Sequence, residues 1–146
     1  MQKTIIGWSE YVSFPDWHIS DLRAKVDTGA RTSALHVEDL VKINSSEVEF
    51  YVITKRTGPK RRKRVRATVV KWAKVRSSTG DYRRRCFVKT RIHVGTVEKE
   101  VEISLVSREK MLFRMLLGRK ALERDFVVDV SRRHELGKPV AHLKGK

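Results

Sequence analysis

The residues of this chain best arranged for chemistry are Asp27-Thr28-Gly29. A carboxylate that can take or give a proton is followed by a residue without a Cβ, so a backbone or a second charged group can approach it closely. Elsewhere the chemically capable residues are scattered. His18, His36, His93, His134 and His142 show no ligand spacing, and Cys86 has no partner cysteine. His134-Glu135-Leu136-Gly137-Lys138 begins like the zinc motif H-E-x-x-H but has lysine where the second ligand should stand. No metal or other cofactor is expected, and no glycine-rich phosphate loop is present to bind a nucleotide.

The acid needs a firm support, and the sequence supplies one. Leu22, Ala24 and Val26 alternate with Arg23 and Lys25, the period of a strand with one buried face, and this strand runs directly into Asp27. A first strand is expected over residues 4–8, with a turn at Phe14-Pro15-Asp16, and another strand over 33–37. Val48, Phe50 and Val52 mark a half-buried strand over 47–53, followed by a turn at Thr57-Gly58-Pro59. Residues 65–75 and 85–94 read as the two arms of a hairpin around Ser77-Ser78-Thr79-Gly80-Asp81, with Cys86, Val88, Thr90, Ile92 and Val94 on one face. Val101, Ile103 and Leu105 define a further strand, residues 111–117 an apolar run fit for burial, residues 120–124 a short helix, and residues 126–128 a last strand. Trp8 and Trp17 read as packing residues. Many short strands with turn signals and one brief helix predict a mostly β, closed barrel.

The chain has 146 residues, which suits one domain, expected over 1–130, with a weakly patterned tail over 131–146 expected to be partly disordered. Lys and Arg number 33 against 17 acids, a net charge of +16 that favours anionic partners, whether acidic peptide, nucleic acid or membrane surface. Residues 60–66, K-R-R-K-R-V-R, are the densest charge and read either as a solvated loop or hairpin edge or as an anchor for something acidic. The unpaired Cys86 suits a reducing compartment, and no apolar run is long enough to span a membrane. A soluble, cytoplasmic protein without membrane contact is the expectation.

The string A-K-V-D-T-G-A-R-T-S-A-L-H, with K-V-R-S-S-T-G at residues 74–80 and M-L-L-G-R at residues 115–119, resembles the retropepsin-like aspartic proteases. It is most similar to the bacterial family called ATP-dependent zinc protease, which is linked to ATP-grasp ligases that add glutamate. The resemblance runs from Ile5 to about Val130. It implies an acid-protease barrel with one short helix after the Gly118-Arg119 pair, and Asp27, Thr28 and Gly29 as the catalytic loop. It also implies substrate contacts from Ala30, Arg31 and Thr32, and from a flap carrying Ser77, Ser78 and Gly80, for which an ordinary β-turn is the plainer reading. Gly118 and Arg119 would support the loop.

Hydrolysis of an amide without a covalent intermediate needs a water activated on one side and a carbonyl protonated on the other. Two carboxylates about 3 Å apart supply both, because like charges that close share one proton. The chain contains one D-T-G, so the second acid would have to be Asp27 of a symmetry mate, and a homodimer is expected. Arg31 departs from the retroviral pattern, which has an acid there to pair with the arginine of Gly-Arg. A planar guanidinium beside the catalytic turn suits carboxylates, so an acidic protein tail is the expected substrate, and the family's link to glutamate-adding ligases implies glutamylated tails within that class. The alternative is that Arg31 bonds nearby groups structurally. Two other functions compete: an inactive barrel gripping RNA or a ribosomal surface through its basic loops, and a zinc-dependent hydrolase.

Overall fold

Alternation of apolar and polar residues sets the strands. The structure is a computed structural model that describes residues 2–55, 61–76, 80–107 and 112–136. Its strands are β1 (Thr4–Ile6), β2 (Ser9–Phe14), β3 (Ile19–Val26), β4 (Ser33–His36), β5 (Glu38–Lys42), β6 (Glu47–Lys55), β7 (Arg61–Arg76), β8 (Tyr82–Val94), β9 (Val97–Val106), β10 (Met115–Leu117) and β11 (Phe126–Val128). A 3₁₀ turn at Pro15–Trp17 joins β2 to β3, and a single helical turn, α1 (Arg119–Leu122), follows β10.

Six strands close into a barrel in the order β2-β3-β10-β4-β9-β8, and β8 returns to β2 where His93 lies opposite Ser13. This is the expected closed, mostly β architecture with one short helix. β10 runs parallel to β3 and antiparallel to β4, with Leu117 opposite Val26 and Met115 opposite Leu35. That pairing carries Gly118 to the same end of the barrel as Asp27. β1 and β11 form a separate two-stranded parallel sheet.

β7 leaves the barrel to make an arm. Its second half pairs with β8 from Val69 to Arg76, and its first half pairs with β6 from Arg61 to Thr68, while β5 covers the far side of β6. The arm is seated on the barrel by aromatic contact: Trp17 stacks on Phe14 at 5.0 Å and meets Phe50 of β6 edge-on at 5.5 Å. Within the described part of the basic run, Val65 is buried and Arg62, Arg64 and Arg66 are exposed. This stretch is therefore the edge of a hairpin and not a loop. Arg66 reaches Glu47 at 3.1 Å, and Arg62 pairs with Asp39 and lies 4.0 Å from the Tyr51 ring. Charges on an open strand edge discourage pairing with another chain.

β2 and β5 are strands that the sequence pattern did not single out, while the turn expected at Phe14-Pro15-Asp16 is present. Two expectations are corrected. The run 111–117 is not buried as a unit, since Leu112 is 59% exposed while Phe113 is buried edge-on against Trp8, beneath Arg23. The helix lies one residue earlier than expected and stops before Arg124, which adopts a left-handed φ of 76°. Residues 131–136 lie along β2: Trp8 N–H donates to Arg132 O, and His134 N–H to Ser9 O. The 57–59 turn and the tail beyond 136 lie outside the described residues.

One exposed cluster, Asp16, Arg91, His93 and Glu98, is expected to make stability depend on pH. Hydrogen bonds from Arg91 hold the Asp16 carboxyl below its ordinary 3.8, and bonding to His93, with the nearby Arg91 charge, holds Glu98 below 4.5. A carboxyl whose pKa is lowered in the folded state stabilises fully above its unfolded value and loses that contribution as pH falls through the folded one. The urea midpoint should therefore fall between pH 5 and pH 3, a window around those ordinary values. In Arg91→Gln the fall should be smaller. An equal fall in both would show that these pairs do not couple to folding.

Candidate active site

The loop after β3 is fixed by its backbone. Val26 N–H donates to Trp8 O at 2.8 Å and Asp27 N–H to Leu117 O at 2.9 Å, so the strand stays paired on both sides up to the acid. The chain then turns, with Ala30 N–H bonded to Asp27 O at 3.2 Å. Asp27 is half-buried, and its Oδ1 accepts the Gly29 N–H at 3.0 Å. A Cβ at Gly29 would stand 3.2 Å from that oxygen, so a side chain there would crowd the carboxylate. The second oxygen of Asp27 makes no hydrogen bond or ion pair with a described residue.

The Gly-Arg element holds the loop from the other side. Arg119 N–H donates to Ala30 O at 2.8 Å, Lys120 N–H to Arg31 O at 3.0 Å, and Gly118 N–H to Ser33 Oγ at 3.0 Å. Arg119 Nη1 donates to Thr28 O at 2.8 Å. The arginine that lacks an acid partner thus ties a carbonyl of the Asp27 turn instead. A Cβ on Gly118 would lie 2.6 Å from the carbonyl carbon of Thr32 and 2.8 Å from its oxygen. Its φ of −87° suits any residue, so close approach alone demands glycine here. Gly118→Ala should cost about 1–3 kcal/mol as the two segments are forced apart. A thermal midpoint unchanged in Gly118→Ala would show that the clamp yields freely.

The structure brings Asp27, Thr28, Gly29, Ala30, Arg31, Thr32, Gly118 and Arg119 into one cluster. Thr28, Gly29 and Arg31 are exposed, and the Arg31 guanidinium has no hydrogen bond or ion pair with a described residue. Ser77 and Ser78 lie outside the described residues. Gly80 stands beside the β7–β8 turn with φ of +93°, a conformation that glycine adopts without strain. Ser33, whose hydroxyl receives Gly118 N–H, was not anticipated; its place in a buried position just after the loop was the available signal.

Among the described residues no group of three or more His, Cys, Asp or Glu side chains is placed to hold a metal. His134 instead meets Ser9 Oγ through Nε2 at 3.0 Å, its ring 4.5 Å from that of Tyr11. Cys86 is a buried free thiol, pushed above its ordinary pKa by burial. No described helix is long and apolar enough to cross a membrane.

A closed barrel that presents a D-T-G loop clamped by a Gly-Arg turn defines a retropepsin-like domain. The chain belongs to the RimB-like family: the model described as "Retropepsin-like aspartic endopeptidase RimB" matches residues 5–139. A probable alpha-L-glutamate ligase of Shewanella pealeana is 33% identical over 138 residues, covering 92% of this chain and 30% of its own length. A protein of the same description from Desulfotalea psychrophila is 30% identical over 147 residues, covering 99% of this chain and 32% of its own length. The chain thus spans about a third of the length of these relatives. A solved structure of a Legionella pneumophila protein of unknown function superposes with a TM-score of 0.76 at 25% identity, over 92% of this chain and 99% of that one.

Proposed function

We propose that this chain is an aspartic-type peptidase acting on acidic protein or peptide chains, with Asp27 of two copies sharing one proton across a twofold axis. The observation that carries the reading is the clamp on the Asp27 loop. Backbone bonds to Leu117, Arg119 and Lys120 hold the acid at the end of a paired strand, with one carboxylate oxygen positioned by Gly29 N–H. Such fixed geometry is what shared-proton catalysis requires.

In this mechanism the ionised carboxylate takes a proton from water as the water oxygen attacks the carbonyl carbon. The protonated carboxyl donates to the carbonyl oxygen. The C–N bond then breaks, and the nitrogen leaves with a proton relayed by the pair.

Acidic specificity rests on Arg31, an exposed guanidinium four residues beyond the acid with no partner among the described residues, and on the net charge of +16. That relatives named for glutamate ligation contain a matching segment supports the same substrate class. The test is cleavage of an acidic and a neutral peptide, read by mass spectrometry, for the wild type and Arg31→Glu. Cleavage of the acidic peptide should fall about tenfold or more in the variant, with the neutral peptide affected little. Equal losses on both would remove the specificity role, and cleavage of neither by the wild type would remove the activity.

A further inference from the structure

Some cations of the described surface meet acids: Arg66 with Glu47, Lys71 with Glu102, Arg91 with Asp16, Lys99 with Asp125. Lys42, Lys74, Arg76 and Arg84 form no ion pair with a described residue, and three of them lie against aromatic rings. Arg84 is 5.4 Å and Lys42 6.0 Å from the centroid of Trp72, and Arg76 is 5.9 Å from that of Tyr82.

Strand parity explains why they gather. On β8 the residues Cys86, Val88, Thr90, Ile92 and Val94 are buried in the barrel, so Arg84 and Tyr82 continue that same face beyond it. The register of β7 slips between Val69 and Lys71. After the slip, Trp72 lies opposite Cys86, Lys74 opposite Arg84, and Arg76 opposite Tyr82. Directly opposed residues of an antiparallel pair share a face. A bulge thus turns Trp72, Lys74 and Arg76 to the inner side of the hairpin. The ring nitrogen of Trp72 is a buried donor with no acceptor, a costly state that an incoming anion would relieve.

We propose that the inner face of the β7–β8 hairpin, together with Lys42 at the end of β5, is a carboxylate-binding surface that holds an extended acidic peptide. Alternate residues of a strand are about 6.8 Å apart, and alternate acidic side chains of an extended peptide have the same spacing. Lys74 and Arg76 on one arm, and Arg84 on the other, can therefore each meet a carboxylate. Bases of a single-stranded nucleic acid would need open aromatic faces on which to stack. Here Arg84 and Lys42 already flank Trp72, and Tyr82 is the one exposed ring of the hairpin's described inner face, too little for successive bases to stack, which favours the peptide. The inference rests on the peptidase reading for its substrate class, and it adds residues outside the Asp27 loop that grip that substrate.

Binding is measured with the full chain carrying Asp27→Asn, so that no turnover intrudes, against an oligoglutamate peptide and an oligouridylate of equal charge. Arg84→Glu and Lys74→Glu should each weaken peptide binding about tenfold or more. Arg83→Glu makes the same charge change on the outer face, opposite Val75, and should change binding less than about twofold. Trp72→Phe keeps a ring but removes the donor, and should weaken binding severalfold with a thermal midpoint no lower than that of the wild type. Arg84→Gln replaces Arg84→Glu if the latter fails to fold. An equal loss in Arg83→Glu would reduce the effect to the general positive field. Tighter binding of the oligouridylate, lost in Arg84→Glu, would make the surface one for nucleic acid. Absence of peptide binding would end the proposal. Cleavage by the otherwise wild-type chain separates the two readings: a peptide bound as expected but never cut counts against the peptidase alone, and equal cutting with and without Arg84→Glu counts against the surface alone.

Discussion

Asp27→Asn should abolish peptide hydrolysis while the barrel remains folded, and mixing it with the wild type should poison the wild type. The amide cannot accept the water's proton, so the loss should reach at least about 10²–10⁴-fold, the range of general acid–base catalysis. The fold should tolerate the change, because the bonds that hold the loop are made by backbone atoms of Asp27, Ala30 and Arg31 and by the Arg119 side chain. The Gly29 N–H can bond an amide oxygen in place of the carboxylate.

Mixing tests the dimer directly. If each active centre needs one Asp27 from each of two exchanging copies, an equal mixture contains about one quarter wild-type pairs, and activity falls to about one quarter of that of wild type at the same total concentration. If each chain carries a complete centre, the mixture retains about one half. A value near one half after full exchange, or hydrolysis that survives Asp27→Asn, would refute the shared pair.

What could be read in the sequence was whatever depends on residue type. The strand leading to Asp27 showed its period because Leu22, Ala24 and Val26 are buried and Arg23 and Lys25 are not. The hairpin of β7 and β8 showed itself through clean alternation from Cys86 to Val94. β5 did not, because it is mostly exposed, contains Asp39 at a φ of 53°, and shifts register against β6. The bulge that turns Lys74 and Arg76 inward is likewise a property of pairing, which no single strand displays.

β2 and the docking of residues 131–136 leave little trace in the sequence for one reason, and it makes Glu10 the residue outside the Asp27 loop with the largest expected effect. Ser9 and Glu10 are fully buried next to each other, which destroys the alternation by which a strand is recognised. Glu10 is tolerated inside because its carboxylate accepts three backbone N–H groups: Gly7 and Glu135, each at 2.8 Å, on Oε2, and Leu136 at 3.2 Å on Oε1. Two of those donors belong to the tail, and a backbone donor leaves no mark on residue type. The tail also presses on Gly7, where a Cβ would stand 2.3 Å from Arg132 O.

Glu10→Ala would leave these three donors without an acceptor, at about 1–3 kcal/mol each. The upper end is not reached, because the tail can lift and expose its own two to water. A loss of about 3–5 kcal/mol is therefore expected, the scale for breaking a buried charged arrangement by removing one partner. For a chain of this size that lowers the thermal midpoint by about 10 °C or more. Glu10→Gln keeps one carbonyl oxygen as acceptor but turns an NH₂ toward the remaining donors, so it should lose less than alanine and more than nothing. Hydrogen exchange separates tail from barrel: faster exchange at Glu135 and Leu136 with the midpoint unchanged would confine the role of Glu10 to the tail. A midpoint within about 1 °C of wild type, with those amides still protected, would mean that the buried carboxylate does not hold the tail in place at all.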